Sequence, residues 1–225
     1  MSNNLALGLR DRVKEAPWFN PDQSVTIGGL GSIGSWLTLF MGRIINTIYV
    51  YDFDKVEEHN LTGQLYGMSH IEMKKDEAVS NVAKIYNPNT TIISRGKFEK
   101  GSGVTPICFS GFDNMLARQH MFDSWRSKED REIFIDGRLT AEQLWVYTVT
   151  KENEDLFAKE YMPTDDQVEE LPCSFKSTTH ISSMIASIMT IAFTSYSLNK
   201  KIGEDISNIN FETRYIAPLN LFEVK

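Results

Sequence analysis

The sequence has little cysteine, no clustered basic stripe and no secretory leader pattern. Its two cysteines, Cys108 and Cys173, cannot form a four-cysteine zinc site or a disulfide framework, so we expect a reducing cytoplasmic setting and no zinc. A net charge of -7 without a Lys/Arg stripe argues against nucleic acid as a partner. The first ten residues lack a basic segment followed by an apolar core, so no signal peptide is predicted.

Long apolar runs are also scarce. The most apolar stretch, Ile181 to Leu198, is interrupted by serines and threonines and contains no clean run of about 18 apolar residues. It is therefore predicted to be a buried helix of the core, with no membrane as a partner.

The first fifty residues contain a strand, a glycine-rich turn, a helix and a second strand. Ser24 to Ile27 is β-branched and short, Ser32 to Met41 is predicted to be helical, and Asn46 to Tyr51 forms the next apolar strand. Such a βαβ unit joins parallel strands by a right-handed crossover. The fold class predicted is α/β, Rossmann-like, with a mostly parallel twisted sheet, helices on both faces and additional antiparallel strands in the C-terminal half.

The rest of the chain continues the alternation of elements. We predict helices over 1–16, 72–86, 115–126 and 179–198, strands over 90–94, 105–110, 132–136, 144–150, 210–215 and 220–224, and an irregular acidic segment over 151–173. No domain boundary is evident, so residues 1–225 are predicted to form one domain.

The glycine turn is the first chemical signal. Gly29 allows a tight turn, Gly31 lets the backbone approach a phosphate, and Gly34 lets the helix pack on the strand. The following helix N-terminus offers N–H groups to an anion. Asp52 ends the second strand about 20 residues further on, where a ribose hydroxyl is held in dinucleotide folds. These features by themselves would predict NAD.

Further motifs change that interpretation. Asp52-Phe-Asp-Lys-Val is followed by Asn60-Leu-Thr-Gly-Gln64, then Lys75 at a helix start, Asn87-Pro88, and Asp113-Asn114 after a strand. This ordered set resembles the ThiF/MoeB/HesA family, the adenylating core that is shared with ubiquitin-activating enzymes. The resemblance covers about residues 20 to 150, with a weaker similarity up to residue 198.

The resemblance implies an ATP site with Mg²⁺. Asp52 would hold the ribose, Asn60 and Gln64 would line the phosphate region, and Lys75 would stabilise charge on the α-phosphate. Asp113 would bind Mg²⁺, which takes one or two carboxylates together with phosphate oxygens. These roles suit adenylation, in which positioning and charge stabilisation supply most of the catalysis.

The sequence departs from the family pattern at two points. Gly63 stands where the family has an arginine, so a phosphate-neutralising cation is missing or comes from Arg10, Arg12 or Arg138. Family members often receive such an arginine from the N-terminus of a partner subunit. The zinc-binding Cys-x-x-Cys pairs of the family are absent as well.

The two cysteines receive different interpretations. Cys173, before the long helix and near Lys176, resembles the position of a sulfur-transferring or thioester-forming cysteine in some family members, where its pKa would be lowered. A small buried residue is the alternative. Cys108 lies in an apolar strand and is predicted to belong to the core.

The function predicted is ATP-dependent adenylation of a C-terminal carboxylate. The substrate implied is a ubiquitin-like or sulfur-carrier protein, or a peptide, with a C-terminal glycine, and the adenylate would pass to a thiol, sulfur donor or amine, with Cys173 as the candidate thiol. Residues 1–20 would form a helical arm, 21–130 the nucleotide-binding half, and 131–225 the carrier-binding and dimer half of a homodimer. The alternatives are an NAD-dependent oxidoreductase and a catalytically impaired nucleotide-binding scaffold.

Overall fold

The computed structural model describes residues 10–140, 142–162, 178–206 and 209–225. Within this part of the chain, eight strands and five α-helices follow one another along the sequence. They are β1 (Ser24–Gly28), α1 (Ser32–Gly42), β2 (Thr47–Tyr51), α2 (Lys75–Tyr86), β3 (Thr91–Ser94), β4 (Ile107–Ser110), α3 (Met115–Arg126), β5 (Ile133–Leu139), β6 (Gln143–Val149), α4 (Glu154–Glu160), α5 (Thr179–Ile202), β7 (Glu212–Ile216) and β8 (Leu221–Val224).

One sheet contains all eight of these strands in the order β3-β2-β1-β4-β5-β6-β7-β8. The first five strands in this order are parallel, and β6, β7 and β8 are each antiparallel to the strand before them. The α/β class, the mostly parallel sheet and the antiparallel closing strands are therefore confirmed. The order reverses between β1 and β4, which creates a crevice at their carboxyl ends.

Alternate side chains of the strands pack into two different hydrophobic cores, one on each face of the sheet. In β5, Ile133 and Ile135 join an aliphatic core with α1 and α5, whereas Phe134 joins an aromatic core with α3 and α4. Burial on both faces explains why the central parallel strands β1 and β4 are buried along almost their whole length. The sheet is thereby fixed on both sides of the crevice.

Helix α5 is long and apolar enough to cross a membrane by length and composition. In the structure it packs on α1 and β5, and Ile185, Met189 and Phe193 are buried in the aliphatic core. A Cβ at Gly137 of β5 would lie 2.5 Å from the sulfur of Met189, so glycine lets this helix approach the sheet closely. The core position predicted for this segment agrees with these contacts.

Two local predictions are wrong. Residues 1–9 of the helix predicted over 1–16 lie outside the described residues, and residues 10–16 form hydrogen-bonded turns, with the amides of Val13 and Lys14 both bonded to the Arg10 carbonyl. The acidic segment 151–173, predicted to be irregular, contains α4, whose Phe157 is fully buried in the aromatic core. Tertiary packing of this ring supports a helix that the local sequence pattern does not show.

Candidate functional site

The crevice at the carboxyl ends of β1 and β4 is built from glycines. The Gly111 amide donates to the Gly28 carbonyl at 2.8 Å, which ties the two strand ends together. A Cβ at Gly28 would lie 2.3 Å from the ring of Phe112, so glycine is needed where that ring crosses the end of β1. The topological switch point is therefore closely packed beneath the crevice.

Each of the three predicted glycines has a distinct role in the turn. Gly29 has φ +78°, a left-handed conformation that favours glycine. A Cβ at Gly34 would lie 1.7 Å from the Gly29 carbonyl oxygen, so only glycine lets α1 start against the turn. A Cβ at Gly31 would meet nothing closer than Gln64 Nε2, at 4.0 Å. The backbone at Gly31 is therefore open on the side where a phosphate would approach.

Helix α1 begins at this turn without a side-chain cap. Its N-cap is Gly31, and its first turn contains no acidic residue. The positive end of the helix dipole is thus not neutralised by the helix itself, which suits an anion.

Asp52 closes the glycine turn from the end of β2. Its Oδ2 accepts the Leu30 amide at 2.6 Å, and its Oδ1 accepts the Asp54 amide at 2.8 Å. Burial raises the pKa of this carboxyl, and the positive charge of Lys75 partly offsets that effect. Asp52 thus holds the turn and keeps carboxylate lone pairs for a further donor, such as a ribose hydroxyl.

Lys75 lies beside Asp52 because its helix starts against the end of β2. Its amide donates to the Asp54 carbonyl and its Nζ donates to Asp54 Oδ2, both at 3.0 Å. The Lys75 side chain is only 9% exposed, whereas that of Asp54 is 51% exposed. A buried ammonium with a single carboxylate partner retains donors for a phosphate.

Tyr66 connects the glycine turn to this lysine. Its hydroxyl donates to the Leu30 carbonyl at 2.7 Å and lies 3.4 Å from the Lys75 carbonyl. Burial raises the pKa of Tyr66 well above its usual range, so the phenol stays protonated and donates. The Asp52, Lys75 and glycine elements are therefore one connected cluster.

Asn60 and Gln64 lie on a segment that covers the start of α1. Asn60 is buried, and its Oδ1 accepts the Glu57 amide at 2.9 Å, so it shapes its own short 3₁₀ turn. Gln64 Oε1 is buried without a hydrogen-bond partner in the described part of the chain. Together with Gln64 Nε2 near Gly31, this unpaired atom fits a polar group in the crevice.

The Asp113 turn follows β4 on the other side of the crevice. Asp113 is exposed, and Asn114 is the N-cap of α3, accepting the Ala117 amide at 2.9 Å. The cap of α3 is therefore Asn114, the residue after Asp113. The described residues hold no group of three or more His, Cys, Asp or Glu placed for a metal ion.

The arginines considered as replacements at position 63 have different surroundings. Arg10 donates to the Arg43 carbonyl at 3.0 Å and to Asn46 Oδ1 at 2.6 Å, next to the start of β2 and away from the crevice. Arg138 is engaged by Asp136 and by the Tyr161 carbonyl, each at 2.7 Å. These hydrogen bonds of the two side chains go to residues outside the Gly63 turn, and Arg12 is exposed.

Gly63 itself lies between α1 and α5. Its carbonyl accepts the Trp36 indole N–H at 3.0 Å, and the neighbouring Thr62 carbonyl accepts the Thr179 hydroxyl at 2.8 Å. The turn that lacks the family arginine is therefore fixed by backbone acceptors to both helices.

The two cysteines differ in what can be described. Cys173 lies outside the described residues. Cys108 is fully buried, and burial raises the pKa of its thiol well above the usual range. Cys108 is therefore an inert core residue, as the sequence predicts.

Several site residues were missed by sequence reasoning. Asp54 belongs to the recognised motif but received no role, although it holds Lys75. Ser110, at the end of β4, is fully buried, and its Oγ has no hydrogen-bond partner among the described residues. Arg118 and Asp136 form a buried ion pair beneath the Asp113 turn. The alternation of β5 and the helical spacing of α3 place these two residues inward, but they do not indicate the pairing.

Solved structures with the same fold are available. The chain aligns with PaaA at TM-score 0.66 and 16% identity, covering 90% of this chain and 63% of that one. It aligns with E. coli MccB crystallised with ATP at TM-score 0.66 and 15% identity, covering 93% and 64%. The microcin C7 biosynthetic enzyme MccB in complex with N-formylated MccA gives TM-score 0.67 and 14% identity, covering 93% and 65%. The chain thus spans less than two thirds of the length of these proteins.

Comparison of the sequence with known proteins and protein families gives a family match. No curated protein sequence matches the chain. The model of the ThiF family matches residues 21–213, which includes the glycine turn, Asp52, Lys75 and Asp113. The chain therefore belongs to the ThiF family.

Proposed function

We propose that the protein is an ATP-dependent adenylyltransferase that activates a C-terminal carboxylate as an acyl-adenylate. The observation that carries this proposal is the buried Lys75 ammonium, held by one half-exposed carboxylate beside the glycine turn and Asp52. A dinucleotide site needs the glycines and Asp52 but gives no reason to bury a lysine there. Family membership supports adenylation over hydride transfer.

The residues of the site fit Mg·ATP. Bound Mg·ATP would supply the α-phosphorus that a carboxylate oxygen attacks, with pyrophosphate leaving with the electrons of the broken P–O bond. The glycine turn would bind phosphate oxygens through its backbone, and Lys75 would stabilise the charge that develops at the α-phosphate. Asp52 would accept a ribose hydroxyl, Asn60 and Gln64 would line the phosphates, and Asp113 would bind Mg²⁺.

The substrate proposed is a peptide, or a small ubiquitin-like or sulfur-carrier protein, with a free C-terminus, ending in glycine in the carrier proteins. MccB, which shares the fold, has a solved structure in complex with N-formylated MccA. Pyrophosphate exchange into ATP tests the proposal on a panel of Gly-ended carriers and short peptides, with C-terminally amidated copies as controls. Exchange with free but not amidated termini supports it. Absence of exchange with every member, together with tight NAD binding, would overturn it.

A catalytically impaired nucleotide-binding scaffold is favoured by a different observation, namely Gly63 in place of the family arginine. Arg10 and Arg138 both make hydrogen bonds elsewhere in this chain, which supports a site that lacks this charge. ATP binding without pyrophosphate exchange, for every substrate tested, would support the scaffold. Recovery of exchange in Gly63→Arg would show that this one charge separates the two functions.

We further propose that the protein is a cytoplasmic homodimer in which Arg12 of a second copy supplies that charge. Arg12 is exposed and therefore available to a neighbouring molecule. Light scattering tests the dimer, and Arg12→Ala should lower exchange with no change in oligomeric state, whereas Lys14→Ala on the same segment should not.

We propose Cys173 as the acceptor thiol if the adenylate is passed to a thioester or a sulfur donor. Cys108 is a suitable control because it is buried. Cys173→Ala should leave pyrophosphate exchange intact and remove a thiol-sensitive adduct with the substrate, whereas Cys108→Ala should keep the adduct. An adduct that persists in Cys173→Ala would contradict this role.

A further inference from the structure

A buried ion network lies directly under the Asp113 turn. Arg118 of α3 donates to Asp136 Oδ1 on β5, and Arg138 Nε donates to Asp136 Oδ2 at 2.7 Å. Asp136 is fully buried and Arg118 is 5% exposed. Both oxygens of this carboxylate are therefore occupied by guanidinium groups.

Arg118 also holds the backbone of the turn itself. Its Nη2 donates to the Phe112 carbonyl, immediately before Asp113, and its Nη1 donates to the Gly137 carbonyl at 2.9 Å. The turn is bound on the other side as well, since Gly111 is tied to Gly28 and Asn114 caps α3. Asp113 is thus an exposed carboxylate between fixed backbone points.

The network extends away from the crevice through Arg138. Its Nη2 donates to the Tyr161 carbonyl at 2.7 Å, at the end of α4, and its guanidinium lies 5.0 Å from the Tyr147 ring centroid. Arg138 is therefore oriented by the aromatic core, and it in turn orients Asp136.

Stability is a weak explanation for this arrangement. Burial lowers the pKa of Arg118, and Asp136 offsets that effect, so the guanidinium bears a desolvation cost that its partners compensate. Apolar residues of similar volume often replace buried ion pairs without loss of stability. A planar guanidinium differs from an apolar group in that it fixes a carbonyl and a carboxylate at defined angles.

We propose that Arg118, held by Asp136 and Arg138, is a positioning residue that fixes the Phe112–Asp113 turn in the orientation in which Asp113 binds Mg²⁺ and nucleotide phosphates. The inference rests on the proposed function. Arg118 acts through the Phe112 carbonyl and does not itself need to touch the nucleotide.

The test compares Arg118→Lys with Arg126→Lys. Arg126 is the last residue of α3, and its side chain pairs with Asp155 at the surface. Lysine keeps the charge but cannot make the forked contacts of a guanidinium. Calorimetry with ATP in Mg²⁺ and with ATP in EDTA gives the affinity gained from the metal. Hydrogen exchange of the peptide spanning residues 111–117, in nucleotide-free protein, gives the order of the turn.

Arg118→Lys is expected to reduce the Mg²⁺-dependent gain in affinity by roughly tenfold, because misplacing a liganding group by about 1 Å has large effects. Exchange of the 111–117 peptide should accelerate in Arg118→Lys and not in Arg126→Lys. If both variants retain the parental metal gain and exchange rate, the positioning role is overturned. If Arg118→Lys does not fold, Arg138→Lys replaces it with the same readouts and a smaller shift in the same direction.

The two proposals fail in different ways. If the parental protein does not bind Mg·ATP, the proposed function is overturned together with the orientation of Asp113 for Mg²⁺, and hydrogen exchange then tests only whether Arg118 anchors the turn. Faster exchange at 111–117 in Arg118→Lys then supports anchoring of the turn, and equal exchange in the two variants refutes it.

Discussion

The charged groups on the two sides of the glycine turn differ in their burial and in how many of their hydrogen-bonding positions are occupied. On the β2 side, Asp54 is half exposed, and it is the single ion-pair partner of Lys75 in the described part of the chain. On the β5 side, Asp136 is fully buried and both of its oxygens are taken by Arg118 and Arg138. Charges with spare hydrogen-bonding capacity beside an open crevice are suited to a ligand, whereas charges that saturate one another are suited to holding backbone in place.

The largest stability effect is expected on the β5 side. Asp136→Ala leaves two guanidinium groups without their shared carboxylate, and removing one partner of a buried ion pair costs about 3–5 kcal/mol. The control is Asp130→Ala, which removes an exposed carboxylate paired with Lys128 at 3.2 Å and should cost at most about 1 kcal/mol. Denaturant unfolding measures both, and equal costs would remove the contrast between the two sides.

The largest activity effect is expected on the β2 side. Lys75→Ala removes the cation proposed for the α-phosphate and should lower pyrophosphate exchange by about 100-fold or more, as losses of preorganised charge stabilisation do. Lys74→Ala, at the preceding exposed position, is the matched control and should retain exchange. A similar small loss in both variants would mean that Lys75 is only a partner of Asp54.

The glycine turn that separates the two sides should tolerate little change. Gly34→Ala forces a Cβ against the Gly29 carbonyl, and overpacking of this kind costs about 1–3 kcal/mol. Gly103→Ala is the control, because a Cβ there meets nothing within 4 Å. Thermal unfolding should show a loss for Gly34→Ala, with weakened ATP binding, and no loss for Gly103→Ala. A tolerated Gly34→Ala would show that the turn can move.

The smallest effect concerns the charge of Asp52. Burial raises the pKa of Asp52, so the protonated carboxyl stabilises the folded state at low pH. This stabilisation is fully present below the unfolded-state pKa and is lost as the pH rises through the folded-state pKa. Asp52→Asn should therefore gain stability relative to the parent as pH rises from about 4 to about 7. Its ATP affinity should fall at every pH, since a ribose acceptor is lost. The exposed Glu58→Gln controls for removing one negative charge, and the same pH trend in it would contradict the assignment.

The positions of the charged residues on the β2 side can be predicted from the sequence, whereas the ion pairs on the β5 side cannot, and the difference has physical reasons. Asp52 and Lys75 follow from strand ends and motif spacing, because parallel strands bring their carboxyl ends to one edge. The helical spacing of α3 places Arg118 on the inward face, but spacing does not give its partner, and only the packed fold shows its contact with Asp136. The choice between Asp113 and Asn114 as the N-cap likewise depends on backbone angles, because both side chains can cap.

The secondary structure, too, is predicted correctly in some parts of the chain and not in others. The βαβ unit and the antiparallel closing strands are predicted correctly because apolar periodicity and glycine signals are strong there. Helix α4 is missed because its stabilising contact, Phe157 against the aromatic core, is made with residues distant in the chain. Acidic composition by itself favours an irregular segment, and this contact overrides it.

Trp36 lies where its fluorescence can respond to changes in the crevice. Its indole N–H is bonded to the Gly63 carbonyl, next to Gln64, while its ring is only partly buried. Trp125, by contrast, is fully buried and bonded to the Pro106 carbonyl before β4, at the opposite edge of the sheet. A ligand that rearranges the Gly63 turn is expected to change the polarity around Trp36, so the contribution of Trp36 to the emission of the four tryptophans is expected to report such a ligand.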